Sequence, residues 1–156
     1  MSDLESNSNS NTAAVAAKKT PTKNNGMEQR RVLGLKDAQN FNEDLIKLAV
    51  LLYQIDGKVT LSEQDYFESL VNNMDWHNGV SLEAFINDAI HQSRLAIDQY
   101  ETKEFLFSLS AGLNHDPATA LEMAMAITQV DGNRSEDELE LLSLLSNRVL
   151  AKGLVA

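Results

Sequence analysis

Two short stretches of the chain combine acidic residues and glycine in the same pattern. They are YQIDGKVTLSE, residues 53–63, and TQVDGNRSEDE, residues 128–138. In each stretch Asp-Gly is followed by five residues and then Glu, and an alignment without a gap puts four carboxylates in register: Asp56, Glu63, Asp131 and Glu138. Carboxylate oxygens are ligands that hard cations such as Ca²⁺, Mg²⁺ and Mn²⁺ prefer. The repeated pattern therefore raises the hypothesis of a divalent-cation site.

The same two stretches also have a purely structural interpretation, in which each ends one helix and begins the next. Gly57 and Gly132 follow apolar segments, where a residue with positive φ commonly ends a helix. Thr60 and Ser135 are each followed three residues later by Glu, as in the capping box, where hydroxyl and carboxylate both bond to the helix start. Capping accounts for the glycine, the hydroxyl residue and the glutamate. It does not account for the aspartate, because an acid at a helix C-terminus faces the negative end of the dipole.

The spacing also matches the second half of an EF-hand calcium loop, which has an acid, a glycine and a glutamate six residues after the glycine. The first and third ligand positions of that loop fall on uncharged residues: Leu52 and Gln54, then Ile127 and Gln129. Because the first carboxylate is missing from both copies, the sequence excludes an EF-hand. If the four remaining carboxylates meet, they repel one another unless a cation or a base neutralises them.

The segments that must position these residues are helical, because the apolar spacing from residue 40 onward has a helical period throughout. It predicts helices at about 42–55, 61–74, 82–97, 101–113, 117–130 and 136–151. The first and fifth are apolar on nearly every side, so we expect both to be central and buried. The prediction is an all-α fold: a compact, pseudo-symmetric bundle of six to seven helices with an internal repeat over about 45–74 and 120–149.

The net charge of −10 is divided unevenly along the chain. Residues 1–36 hold six Lys/Arg against three Asp/Glu, whereas residues 37–156 hold seven against twenty. Residues 1–38 are polar and basic with few large apolar side chains, which predicts a disordered tail before a helical domain over 39–156. Because an acidic domain repels phosphate backbones, we expect no nucleic-acid partner.

The sequence lacks the residues and motifs that several classes of protein require. The chain has no cysteine, which excludes disulfides, thiolate metal sites and a cysteine nucleophile. It has no apolar run of about 18 residues that would span a membrane, and AAVAA near the start is too short for a signal-peptide core. We therefore expect a cytoplasmic protein. No nucleophile elbow, paired histidines or phosphate loop is present, so we expect no enzymatic activity.

Over residues 40–151 the sequence resembles the TerB-like tellurite-resistance domain, in two copies of Asp-Gly-x5-Glu that each join a buried helix to an amphipathic one. The resemblance implies a compact helical bundle whose repeated carboxylates bind metal, with Asp56, Glu63, Asp131 and Glu138 as ligands. The second copy keeps the acids typical between Gly and Glu, at Glu136 and Asp137. The first copy departs from the pattern, with Lys58, Val59 and Leu61 in that interval.

The resemblance also implies a role in tellurite or general stress resistance. Related domains occur in membrane-linked proteins and in a J-domain co-chaperone, which implies a protein partner from a stress-response system, associated with a membrane in some relatives. The alternative is a purely structural helical interaction module, of co-chaperone type and without metal, in which the repeated residues only cap helices.

Overall fold

The computed structural model describes residues 25–57, 59–130 and 132–150, with side chains described from residue 35 onward. Within these ranges there are seven α-helices and no strand, which confirms the predicted all-α fold. The helices are α1 (Asn25–Gln54), α2 (Leu61–Asn72), α3 (Leu82–Asp98), α4 (Thr102–Ser108), α5 (Ser110–Leu113), α6 (Pro117–Ile127) and α7 (Glu136–Leu144). A π-helical turn, Leu145–Val149, follows α7.

The chain divides into two units, Met1–Lys36 and Asp37–Ala156. In the described part of the second unit, buried side chains from α1 to the π turn form one hydrophobic cluster. Around this cluster α2 packs against α6, α3 against α4, and α4 against α7. None of the helices in the described ranges is long and apolar enough to cross a membrane.

Helix α1 begins at Asn25 and not near residue 42 as predicted. Residues 25–38 of the predicted tail therefore lie in this helix, while residues 1–24 lie outside the described part of the chain. The segment MEQRRVLGLK, residues 27–36, consists mostly of strong helix formers, and this propensity extends the helix beyond its apolar stretch.

The two helices predicted to be buried on every side differ from each other. In α1 every residue from Leu48 to Gln54 is buried, as predicted. Helix α6 buries Ala120, Met123, Ala124 and Ile127, but the Met125 side chain is 46 % exposed. Helix α6 is therefore buried on one side only. Its sequence is apolar on nearly every side because it is rich in alanine, and alanine is small enough to lie on an exposed face.

The helix boundaries reflect local chemistry. Ser81 and Asp116 accept backbone N–H bonds from Ala84 and Thr119 and thereby cap α3 and α6. The predicted helix over 101–113 is interrupted after Ser108, whose hydroxyl donates to the Phe105 carbonyl at 2.6 Å and competes with the helical bonding pattern.

The predicted last helix ends as a π turn, closed by a 2.8 Å bond from the Leu150 N–H to the Leu145 carbonyl. This wider turn buries Leu145, Val149 and Leu150 together. The predicted end of this helix, near residue 151, lies outside the described residues.

Candidate functional site

The first Asp-Gly loop begins where α1 ends. The Gly57 N–H donates to the Gln54 carbonyl at 3.0 Å, and Gly57 has a φ of 81°, a conformation that favours glycine. Beyond it Thr60 and Glu63 form a complete capping box. The Glu63 N–H donates to Thr60 Oγ1 at 3.1 Å, and the Thr60 N–H donates to Glu63 Oε1 at 3.0 Å. The predicted glycine conformation and capping box of the first loop are confirmed.

The second loop repeats the same local geometry. Gly132 has a φ of 89°, and its N–H donates to the Gln129 carbonyl at 2.9 Å. The Glu138 N–H donates to Ser135 Oγ at 3.1 Å, and the Ser135 N–H donates to Glu138 Oε1 at 2.8 Å. The internal repeat in the sequence is thus a repeat of helix end, loop and capped helix start.

The two loop glutamates are buried. Glu63 and Glu138 are each 2 % exposed, whereas Asp56 is exposed at the surface. A buried carboxylate is costly unless it is hydrogen-bonded or paired, and the cap N–H supplies one such bond to each glutamate. Each glutamate is therefore held in a fixed orientation by the start of the helix that carries it.

Three of the four predicted metal ligands lie among the described residues. Asp56, Glu63 and Glu138 are described, but Asp131 lies outside the described residues. Among the residues that are described, no group of three or more His, Asp or Glu side chains is placed to hold a metal ion. Asp56, Glu63 and Glu138 by themselves do not form such a group.

The second loop is fastened to α6 by Arg134, which sequence analysis did not single out. Arg134 Nε donates to Thr128 Oγ1 at 2.9 Å, and a terminal guanidinium nitrogen donates to the Met125 carbonyl at 2.8 Å. The guanidinium also lies at the C-terminal end of α6, where a positive charge interacts favourably with the helix dipole. In the first loop the aligned residue is Val59, so the two loops are held in place differently.

We expect Arg134→Ala to lower the free energy of unfolding by about 1 kcal/mol, because it removes both bonds to the end of α6. Urea unfolding measures the change, and Arg134→Lys should recover part of it. Arg148→Ala, at an exposed arginine in the π turn, is the matched control and should change stability by less than about 0.5 kcal/mol. An equal effect of Arg134→Ala and Arg148→Ala would contradict a role for Arg134 in holding the loop.

A second polar region lies between α1 and α5. It is a cleft of about 410 Å³, and its lining includes Asp37, Glu43, Asp44, Gly112, Asn114 and His115. Gly112 allows the two walls to approach closely. A Cβ atom added there would lie 2.9 Å from Asp44 Cγ and 3.2 Å from the Asn40 carbonyl oxygen.

Two acidic side chains on the α1 wall are in different environments. Burial raises the pKa of Asp44 to about 6; the charge of Lys47 opposes this rise, and the charge of Glu43 adds to it. Glu43 is held against the wall by two amides, because its Oε2 accepts from Gln39 Nε2 at 3.0 Å and from Asn78 Nδ2 at 2.6 Å.

Asn114, on the opposite wall, has a fixed orientation and an unsatisfied oxygen. Its Nδ2 donates to the carbonyls of Ser110, at 2.8 Å, and Val149, at 2.9 Å. Its Oδ1 is the one buried side-chain oxygen or nitrogen in the described part of the chain that has no hydrogen-bond partner. The wall therefore contains a buried acceptor without a donor.

Sequence analysis missed this cleft for two reasons. Asp37 falls within the predicted tail, and the predicted first helix, at about 42–55, does not include it. The signal available was the polar spacing of Asp37, Asn40 and Asp44, which places them on one face once α1 is extended toward its start. The residues on the opposite wall, Gly112 and Asn114, follow Asp44 by about 70 positions, and no local sequence pattern relates them to α1.

Comparisons of the chain with protein-family models, with curated proteins and with solved structures found no match.

Proposed function

We propose that this protein is a non-enzymatic, TerB-like domain that binds a divalent cation through its two Asp-Gly-x5-Glu loops. In this proposal it acts in the cytoplasm with a protein partner in a tellurite- or stress-response system. The observation that supports it most is the recurrence, in both loops, of one backbone geometry and one buried glutamate, Glu63 and Glu138.

The chemistry of the loops suits a hard cation. Asp56 and Glu63 would contribute ligands from the first loop, and Asp131 and Glu138 from the second. Each capping box fixes its glutamate in advance, which lowers the entropy lost on binding. One oxygen of each glutamate receives the cap N–H, and a carboxylate can accept further bonds. Ca²⁺, Mg²⁺ and Mn²⁺ accept such oxygen-only ligands, and the cation would neutralise crowded acids.

The test compares thermal unfolding with and without each cation. A cation at about ten times the Kd measured by calorimetry should raise the free energy of unfolding by about 1.4 kcal/mol. The double variant Asp56→Asn/Asp131→Asn should lose this increase, and it leaves the capping glutamates intact. Asp65→Asn/Glu68→Gln removes two exposed acids on α2 and serves as the charge-matched control. The proposal fails if no cation raises stability, or if the increase persists in the double variant.

A second function, a structural interaction module without metal, is favoured by a different observation. The capping boxes give both buried glutamates a structural role, and two leucines near the loops face solvent. Leu61 is 72 % exposed and Leu139 is 50 % exposed, each in the first half of a capped helix. Apolar side chains in such positions suit a protein partner. The cation titration separates the two functions, because this one predicts no change in stability.

A further inference from the structure

The α2–α3 loop, residues 73–81, is held against α1 by side-chain amides. Glu43 on α1 accepts a hydrogen bond through Oε2 from Asn78 Nδ2 at 2.6 Å. Gln39, one turn earlier, accepts through Oε1 from the His77 N–H at 2.8 Å. The two α1 side chains are themselves joined, because Gln39 Nε2 donates to Glu43 Oε2 at 3.0 Å. The Asn78 amide therefore provides one of the bonds that fasten this loop to α1.

Asn78 is followed by Gly79, and the backbone nitrogen of this glycine is open to react. The nitrogen that follows an asparagine can attack the side-chain amide, because the attack closes a five-membered ring and is favoured by proximity. Glycine hinders this attack least, since it has no Cβ atom. Gly79 is exposed, a Cβ atom there would have nothing within 4 Å, and no hydrogen bond among those of the described residues involves its N–H. The nucleophile is thus neither shielded nor held by another bond.

The Asn78 carbonyl is placed to accept the developing charge. Its Oδ1 accepts from the Val80 N–H at 2.8 Å. A donor at this oxygen draws electron density from Cγ and stabilises the negative charge that the oxygen gains when a nitrogen attacks. Residues 75–80 also lie outside the helices, so no helical hydrogen bonds hold the backbone of the pair in place. The loop therefore combines an open nucleophile with a polarised carbonyl.

We propose that Asn78 is a site of spontaneous deamidation whose product releases the α2–α3 loop from α1. The Gly79 nitrogen gives its proton to solvent and forms a bond to Asn78 Cγ, the Cγ–Nδ2 bond breaks, and Nδ2 leaves as ammonia. Water then opens the cyclic imide at either carbonyl and leaves aspartate or isoaspartate. One water is consumed, one ammonia is released, and nothing is oxidised or reduced. This site is separate from the two Asp-Gly loops and does not rest on the cation proposed there.

Deamidation replaces an attraction between the loop and α1 by a repulsion. The product has no N–H to donate to Glu43, and its carboxylate lies beside a carboxylate of the same charge. The chain has one tryptophan, Trp76, and it lies in this loop. Its Nε1 donates to the Val80 carbonyl at 2.8 Å, and its ring centroid is 5.0 Å from that of Phe85. Tryptophan fluorescence therefore reports on this loop alone.

Peptide mass mapping of the full chain during incubation in mildly alkaline buffer tests the modification. We expect the mass change that replaces NH₂ by OH to accumulate at Asn78, and not at Asn73 or Asn114, which no glycine follows. Gly79→Ala should slow the change severalfold, because its methyl group hinders the attacking nitrogen. This variant leaves the loop intact, since the added Cβ atom meets nothing within 4 Å. A chelator in every sample keeps the result independent of the cation site.

Asn78→Asp tests the consequence directly. It should lower Tm by about 5 °C, because a bond to a charged group is lost and a like charge takes its place. Quenching of Trp76 fluorescence by acrylamide should rise. Glu43→Gln/Asn78→Asp reverses donor and acceptor and should restore most of both properties. Asn87→Asp adds the same charge at an exposed site on α3 and should change Tm by less than about 1 °C.

Two results would overturn the proposal. If a synthetic peptide of residues 73–85 is deamidated while Asn78 in the folded chain is not, the fold protects this residue. If Asn78→Asp and Asn87→Asp lower Tm equally, or if the reversed pair with Glu43→Gln recovers nothing, the product does not act through its contact with α1.

Discussion

Replacing Gly112 with alanine is expected to lower the free energy of unfolding by about 2 kcal/mol, although alanine favours helices more than glycine does. The added methyl group would overlap Asp44 Oδ2 and lie 3.2 Å from the Asn40 carbonyl oxygen. The Asp44 side chain can rotate away, but the carbonyl belongs to α1 and moves only with that helix. The loss is measured by urea unfolding at pH 7.

Two further variants make this prediction specific. Gly79→Ala is the matched control, because a Cβ atom there has nothing within 4 Å and the residue lacks a positive φ. It should change stability by less than about 0.5 kcal/mol. Asp44→Ala in the Gly112→Ala background should recover at least about 1 kcal/mol, since contacting residues are energetically coupled. Additive effects of the two substitutions would show that contact with Asp44 is not the cause.

Asp44→Asn is expected to stabilise the protein by about 2 kcal/mol at pH 7.5. The pKa of Asp44 rises from 3.8 to about 6 because burial disfavours its charged form. Such a rise corresponds to about 3 kcal/mol for a fully enclosed group, and water in the open cleft reduces this value. Asparagine has nearly the same shape, removes the charge and relieves repulsion from Glu43. Chemical unfolding of both proteins over a pH series measures the difference.

The sign of the pH dependence follows from the raised pKa. Between pH 3.8 and about 6 the folded state binds a proton at Asp44 that the unfolded state releases. The stability gained from this proton is therefore fully present below 3.8 and is lost as the pH rises through about 6. The difference in free energy of unfolding between Asp44→Asn and the unsubstituted protein should consequently fall toward zero near pH 4. A constant advantage across the series would mean that the substitution acts through packing and not through charge.

These two predictions concern the same feature, a carboxylate that α1 holds against α5 at a cost in stability at neutral pH. Neither hydrogen bonds nor an ion pair of Asp44 offset that cost among the described contacts, and the nearby charge of Lys47 only reduces it. Natural proteins often retain residues that lower the free energy of unfolding where function needs those residues.

The sequence by itself determined the features that depend on neighbours a few residues away. The positive φ of Gly57 and Gly132 and both capping boxes follow from hydroxyl, glycine and glutamate at fixed short spacing, because their hydrogen bonds close within three or four residues. The all-α class and most helix starts were predicted for the same reason. The aspartates remain the loop residues that capping does not explain.

Only the tertiary structure decided which distant residues share an environment. The Asp44–Gly112 contact and the Asn114–Val149 hydrogen bond join separate helical segments, and their effects on pKa and hydrogen bonding arise from burial between those segments. The one-sided burial of α6 also depends on how the chain folds back on itself. Burial and desolvation belong to the assembled fold. The spacing of Asp37, Asn40 and Asp44 can place these residues on one helix face, but it cannot show which residues lie opposite them in the cleft.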